Sequence, residues 1–295
     1  MSNDGPGAPS LQSDGSRTIE LDGVSCRVID SGQGEPVLLL HGIGGSADEW
    51  SKVIPQLSTR FRVLAPDAPG HGLSQKPDGP AHTYDLAYYT RLILGLLDAL
   101  GIERIPVVGM SAGGAIALNL ATAMPDRVAS LILVSSAGLG TEVAWSYRLG
   151  SIVPPLVRFG LRLSTVQSTR SFGRALCFNP EHVPDGWAER RVEAWRAPGA
   201  IDAFLTTARA TIGWGGQRHN FLHCLRQIRH RTLILWGRND PILPVAHATR
   251  ASRLIRGSTI HIYDQCGHMP IWEYPTDVSA RVADFLTAPV NAAKS

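Results

Sequence analysis

The feature that most constrains this chain is a strand that runs into a helix with no loop between them. Ile105–Met110 (IPVVGM) is apolar and β-branched, as a buried strand should be, and Ser111–Met124 is an alanine-rich helical run stopped by Pro125. The chain has to reverse inside Gly109-Met110-Ser111-Ala112-Gly113. A turn this sharp strains the Ser111 backbone, and Gly109 and Gly113 let strand and helix approach without Cβ clashes. It lifts the serine hydroxyl above the sheet at a helix N-terminus, where the helix dipole and free N–H groups favour developing negative charge. Ser111 is therefore expected to be a nucleophile rather than an ordinary N-cap.

The rest of the chain supplies a sheet for that turn. Arg17–Asp30 reads as two short strands around Asp22-Gly23, a hairpin signature. PVLLLHG (Pro36–Gly42) is a continuous apolar run suited to a strand buried on both faces. A short helix is expected over Asp48–Leu57, a strand over Arg60–Asp67, a helix over Tyr84–Leu100 ending at Gly101, and a strand over Val128–Val134. This alternation predicts an α/β fold with a parallel sheet and helices on both faces. From Thr141 to about Arg229 the texture changes to helical fragments with no clear buried strand. The α/β pattern then returns with a strand over Arg231–Trp236, a helix over Ala246–Ile255, a strand over Ser258–Tyr263 and a helix over Pro275–Leu286. The expected organisation is a tail over 1–16, a core in two pieces (17–140 and 230–295), and a helical insertion over 141–229.

A serine hydroxyl needs a base near neutral pH, and the base needs an orienting carboxylate. Among ten histidines, His268 lies in QCGHMPIWEYP, in the loop after the last strand. Open α/β sheets place their sites at such carboxyl ends. Asp240, in LILWGRNDPILP, lies just past a strand end and is the expected carboxylate. Asp264, on the final strand, is its rival, and the end of Val128–Val134 offers only Ser135-Ser136. The glycine-rich His41-Gly42-Ile43-Gly44-Gly45-Ser46 follows a buried strand, so the backbone N–H groups of Ile43 and Ala112 are expected to form an oxyanion hole. His41, Gly42, Gly44, Met110 and Met269 are expected to line the site.

Composition narrows the rest. A net charge of +3, from 28 basic and 25 acidic residues, gives no basis for nucleic-acid binding. No apolar run is long enough for a transmembrane helix, and MSNDGPGAPSLQSDGS resembles a disordered tail rather than a secretory signal, so a cytoplasmic location is expected. Cys26, Cys177, Cys224 and Cys266 show no CxxC spacing and read as free thiols, with no metal site. The insertion holds twelve arginines and no lysine against six acids, together with Trp145, Trp187, Trp195 and Trp214. This composition fits a solvated helical surface with aromatic anchors, or a roof that steers an anionic substrate over an apolar pocket.

These pieces together resemble the α/β-hydrolase family over about residues 17–288. The resemblance rests on the Ser, Asp, His order, the HG loop, DAPGHGLS with Asp67, WGRNDPILP and GHMPIWEYP. It implies an α/β-hydrolase fold: a mostly parallel eight-stranded sheet flanked by helices, with 141–229 as a helical cap that sets substrate choice. In the family, residues such as Asp67, Gly70 and Gly72 shape a loop. Haloalkane dehalogenases and epoxide hydrolases carry Asp where this chain has Ser111. Meta-cleavage-product C–C hydrolases look similar around LILVSSAGLG, but usually carry Asn before the nucleophile and Trp after the histidine, where this chain has Met110 and Met269. The expected function is therefore a serine esterase acting on small to medium apolar substrates without a cofactor. The alternatives are C–C hydrolysis or a non-catalytic ligand-binding role. The expected partner is a small molecule, and self-association is left open.

Overall fold

The computed structural model describes residues 15–79 and 81–289. The expected tail over 1–16 therefore lies outside the described residues, except for Gly15 and Ser16, and Ser16 already belongs to the first strand.

Strands β1 (Ser16–Leu21) and β2 (Val24–Ser31) pair antiparallel around Asp22 and Gly23. Both turn residues have positive φ, 50° and 74°, as a two-residue hairpin turn of matching twist requires. Next come β3 (Pro36–Leu40), a 3₁₀ turn at Ala47–Trp50, α1 (Ile54–Leu57) and β4 (Arg62–Pro66). The single helix expected over Asp48–Leu57 is broken in two. Pro55 has no N–H with which to carry a helix on from the preceding turn.

Helix α2 (Leu86–Ala99) starts later than Tyr84 because Tyr84 has φ 51° and Asp85 is the cap, accepting the Tyr88 N–H at 2.8 Å. Strand β5 (Ile105–Met110), α3 (Ala112–Ala123) and β6 (Val128–Val134) complete the first half.

Helices α4 (Trp145–Ile152), α5 (Pro154–Arg162), α6 (Val166–Leu176), α7 (Trp187–Arg196) and α8 (Ala200–Thr211) follow. A two-residue ladder of β7 (Ile212–Gly213) and β8 (Gly216–Gln217), absent from the sequence reading, closes this segment. It is stapled to the segment's start: Gln217 Oε1 accepts the Gly138 N–H at 2.8 Å, and its Nε2 donates to the Glu142 carbonyl at 2.9 Å. The core resumes with β9 (Thr232–Gly237), α9 (Ala246–Leu254), β10 (Thr259–Tyr263), α10 (Pro270–Glu273) and α11 (Pro275–Thr287).

The eight main strands lie in the order β1-β2-β4-β3-β5-β6-β9-β10, with β1–β2 and β2–β4 antiparallel and the rest parallel. Apolar side chains bury on both faces of the sheet: α2 and α3 share one core with it, α1 and α11 the other. After β3 the chain steps outward to β4, then returns to β5 on the other side and continues to β10. This reversal opens a crevice beyond the carboxyl ends of β3 and β5, where open α/β sheets bind ligands.

Two loops at that crevice are fixed by the fully buried Asp67. Its carboxylate accepts the Ala47 and Leu73 N–H groups, each at 2.7 Å, and lies 3.3 Å from Arg27 Nη1. The neighbouring His71 is buried, and burial together with the nearby His41 imidazole pushes its pKa down to about 3. Asp67→Asn places an amide where two N–H donors and a guanidinium need an acceptor, and should lower stability by about 2–3 kcal/mol in urea unfolding. An unchanged midpoint would refute this. His71 stays neutral when folded, so only the unfolded chain takes up its proton between pH 6.5 and about 3. Stability should therefore fall as pH drops through that window, by on the order of 4 kcal/mol at its lower end. His71→Phe should flatten the slope, and an equal slope in that variant would remove His71 as its source.

Candidate active site

Ser111 occupies the reversal between β5 and α3 with φ 51° and ψ −120°, a conformation rare for a residue with a Cβ. The approach of strand and helix demands glycine. A Cβ at Gly109 would lie 2.4 Å from the Gly113 carbonyl oxygen, and one at Gly113 would lie 2.3 Å from that of Leu40. A third glycine, Gly114, faces Ser136, where a Cβ would lie 2.1 Å from Oγ. The strained residue is held by its backbone: its N–H donates to Val134 at 3.0 Å, and its carbonyl accepts from Ala137 at 2.9 Å.

His268 and Asp240 come from the loops after β10 and β9. His268 Nδ1 and Asp240 Oδ2 are 2.8 Å apart, with side chains 6% and 0% exposed. A carboxylate can only accept, so Nδ1 carries the proton and Nε2 is the nitrogen left for the cavity. The other oxygen, Oδ1, accepts the Ile242 and Leu243 N–H groups at 2.8 and 3.0 Å, which fixes the carboxylate. Asp264 instead pairs with Arg238 at the surface. Cys266 packs beside Glu273, and burial raises its thiol pKa, which keeps it protonated.

Ser111 and His268 line one cavity of about 70 Å³, together with Gly42, Ile43, Met110, Ala112 and Met269. Two expected lining residues lie elsewhere. His41 is turned beneath the loop: its Nδ1 donates to the Gly42 carbonyl at 2.7 Å and its Nε2 accepts the Ala68 N–H at 3.0 Å. It borders a separate small cavity with Asp67 and Tyr89. Gly44 is not on the cavity wall. It makes room behind it, since a Cβ there would lie 3.0 Å from both Arg191 Nη2 and the Phe204 ring.

Two charged residues absent from the sequence reading do line the cavity, Glu49 and Arg191. Arg191 Nη1 lies 3.5 Å from Glu49 Oε1, with side chains 13% and 6% exposed. The guanidinium sits over the rings of Trp187, Trp195 and Phe172, at 5.1, 5.5 and 5.6 Å from their centroids. Burial raises the Glu49 carboxyl pKa, opposed by Arg191, His41 and His268 and by the Gly42 N–H, which it accepts at 3.4 Å. Burial likewise lowers the Arg191 pKa, opposed by Glu49 and Tyr147. Gly45 leaves room for the carboxylate: a Cβ there would lie 2.4 Å from Glu49 Oε1. Beyond Ile43, Tyr147, Phe172, Arg191 and Ile212, which border both spaces, lies a second cavity of about 440 Å³. Val157, Leu161, Trp195, Phe204 and Leu205 give it apolar walls.

Residues 35–275 match the family described as the alpha/beta hydrolase fold. The chain belongs to that family. It is 32% identical over 282 residues to a 2-hydroxy-6-oxo-2,4-heptadienoate hydrolase of Pseudomonas putida, covering 92% of this chain and 96% of the relative. It is 30% identical over 289 residues to a 2-hydroxymuconate semialdehyde hydrolase of a Pseudomonas strain, covering 95% and 96% of the two chains. A solved meta-cleavage product hydrolase from Pseudomonas fluorescens IP01 superposes with a TM-score of 0.78 at 28% identity, covering 91% of this chain and 96% of that one. In this α/β-hydrolase the reversal between β3 and β5 thus brings a strained serine, an imidazole held by a carboxylate, and a buried ion pair to one crevice.

Removing one member of a buried pair strands the other. Glu49→Ala should lower stability by about 3 kcal/mol in urea unfolding, whereas a loss under 1 kcal/mol would mean that Arg191 finds water or another acceptor.

Proposed function

We propose that this α/β-hydrolase cleaves a carbon–carbon bond in a 2-hydroxy-6-oxo-dienoate, with Ser111 as nucleophile, His268 as base and Asp240 orienting it. The observation that carries this reading is Arg191, a cation only 13% exposed on the wall of the cavity that holds Ser111 and His268. A dienoate brings a carboxylate for that cation. An apolar ester, the chemistry expected from Met110 and Met269, gives it nothing to bind. The relatives named for dienoate and semialdehyde hydrolysis support the same choice.

In its keto tautomer the substrate presents a C6 ketone, a C5 methylene, and a C3–C4 double bond conjugated to the C2 carbonyl. His268 takes the Ser111 proton as Oγ adds to C6, and the Ile43 and Ala112 N–H groups receive the oxyanion. The C5–C6 bond then breaks. Its electron pair forms C4–C5 and C2–C3 double bonds and leaves negative charge on the C2 oxygen. That oxygen takes the proton from His268 and departs as a 2-hydroxydienoate. Water, deprotonated by His268, releases the C6 acyl group from Ser111 as a carboxylic acid, and Ser111 regains its proton. Residues 141–229 act as the roof of this site, and the 440 Å³ cavity beneath α5 receives the acyl substituent at C6. Its volume suits a group larger than methyl.

The test compares 2-hydroxy-6-oxo-6-phenylhexa-2,4-dienoate with p-nitrophenyl esters. We expect kcat/KM for the dienoate to exceed that for the esters by about 100-fold or more, and Ser111→Ala to lower kcat by at least about 10³. Arg191→Gln should raise KM for the dienoate by roughly 10–100-fold and leave neutral esters nearly unchanged. Rapid ester turnover with no dienoate cleavage would establish the esterase reading instead.

A further inference from the structure

The cation that would anchor a substrate carboxylate already has a partner. Glu49 lies on the wall of the same cavity, 3.5 Å from Arg191, and both are nearly inaccessible to water. The arrangement is built in. Gly44 and Gly45 leave space for the guanidinium and the carboxylate respectively, and any side chain at either position would push into the pair. The indole Nε1 of Trp272 holds the Glu49 backbone by donating to its carbonyl at 3.0 Å.

We propose that Glu49 is a resident counter-ion that must take up a proton before Arg191 can receive a substrate carboxylate, so that anion binding at this site is coupled to protonation. The inference rests on the reading of Arg191 as the carboxylate anchor. Its physical basis is that two carboxylates cannot both stay ionised beside one buried guanidinium. A ligand bearing a fixed negative charge displaces the charge of Glu49, and the least costly way is for Glu49 to become the neutral acid in place. Burial already pushes its pKa upward, in the direction this needs.

The charged and titratable groups facing Glu49 are few. Arg191 on α7 stabilises its ionised form. His41 at the end of β3 and His268 in the loop after β10 do so more weakly, and the Gly42 N–H does so by a hydrogen bond. Tyr147 on α4 faces Arg191, and burial raises its pKa to about 12, so it stays neutral throughout the range that matters.

The probe is 2-oxopentanoate, a non-hydrolysable oxo acid, with its neutral amide as control. Titration calorimetry of the wild type at pH 7, in two buffers of different ionisation enthalpy, should show a fraction of a proton taken up per oxo acid bound and none for the amide. The Kd for the oxo acid should rise as pH climbs from 5 to 8, toward tenfold per unit at its steepest. Glu49→Gln keeps an acceptor for the Gly42 N–H but has no charge to displace. It should bind the oxo acid more tightly at pH 8 and lose most of the dependence. Binding with no proton uptake and a flat Kd in the wild type, or equal uptake in Glu49→Gln, overturns the linkage while the carboxylate anchor stands. No oxo-acid binding at any pH overturns both. The wild-type measurement alone decides the question if Glu49→Gln does not fold.

Discussion

The close contact between β5 and α3 sets the position of Ser111, the group around which the rest of the site is gathered. Gly109 lets β5 approach α3, Gly113 lets α3 approach the end of β3, and Gly114 lets it approach Ser136 beyond β6, each so near that a Cβ would overlap a neighbouring atom at 2.1–2.4 Å. The residue at the reversal is then forced to positive φ, at a cost of about 1–3 kcal/mol for a non-glycine residue. Hydrogen bonds to Val134 and from Ala137 hold it there. The strain is local, and its consequence is a backbone that presents the Ser111 side chain to the cavity. Because β3 is the neighbour of β5 in the sheet, the loop carrying Ile43 lies beside that hydroxyl without any long connection.

His268 comes from beyond the far edge strand and needs a different kind of support. Gly267 packs so closely that a Cβ on it would lie 2.2 Å from the Leu176 carbonyl oxygen, and a Cβ on Gly237 would lie 1.9 Å from the Gly267 carbonyl oxygen. The His268 N–H donates to that same Leu176 carbonyl at 2.7 Å. The loop is therefore clamped between β9 and the end of α6. The position of the imidazole thus depends on the helical segment as well as on the sheet.

The sequence was most readable where geometry is written in short range. Gly-x-Ser-x-Gly between an apolar strand and an alanine-rich helix, Asp-Gly between two strands, and Asp240 directly after β9 each depend on adjacent residues. The structure puts all of them where local rules predict. The boundaries failed where one residue overrode a pattern, as Pro55 did in the expected helix and the positive φ of Tyr84 did at the start of α2. His41 was misplaced because its neighbours in sequence face the cavity while its own ring bonds to Ala68. Glu49 was invisible because a lone glutamate in a short polar helix reads as solvated. Its ionic partner is Arg191, from a segment far along the chain, and no local pattern encodes that meeting. Gly44 and Gly45 were legible as a turn, but not as the space such a pair requires.

The ion pair also bears on why the cavity is shaped as it is. A buried pair seldom adds net stability, because the cost of removing two charges from water offsets most of their attraction. Apolar side chains of similar volume would hold Gly44, Gly45, Trp187 and Phe172 together at least as well. Net stability therefore does not explain why Glu49 and Arg191 face each other on the cavity wall. The guanidinium lies over Trp187, Trp195 and Phe172, contacts that do not involve Glu49. It forms part of the wall between the small space beside Ser111 and the larger apolar space beneath α5. A ligand with a carboxylate at one end and an apolar group at the other can satisfy both spaces at once, with its reacting carbonyl between them.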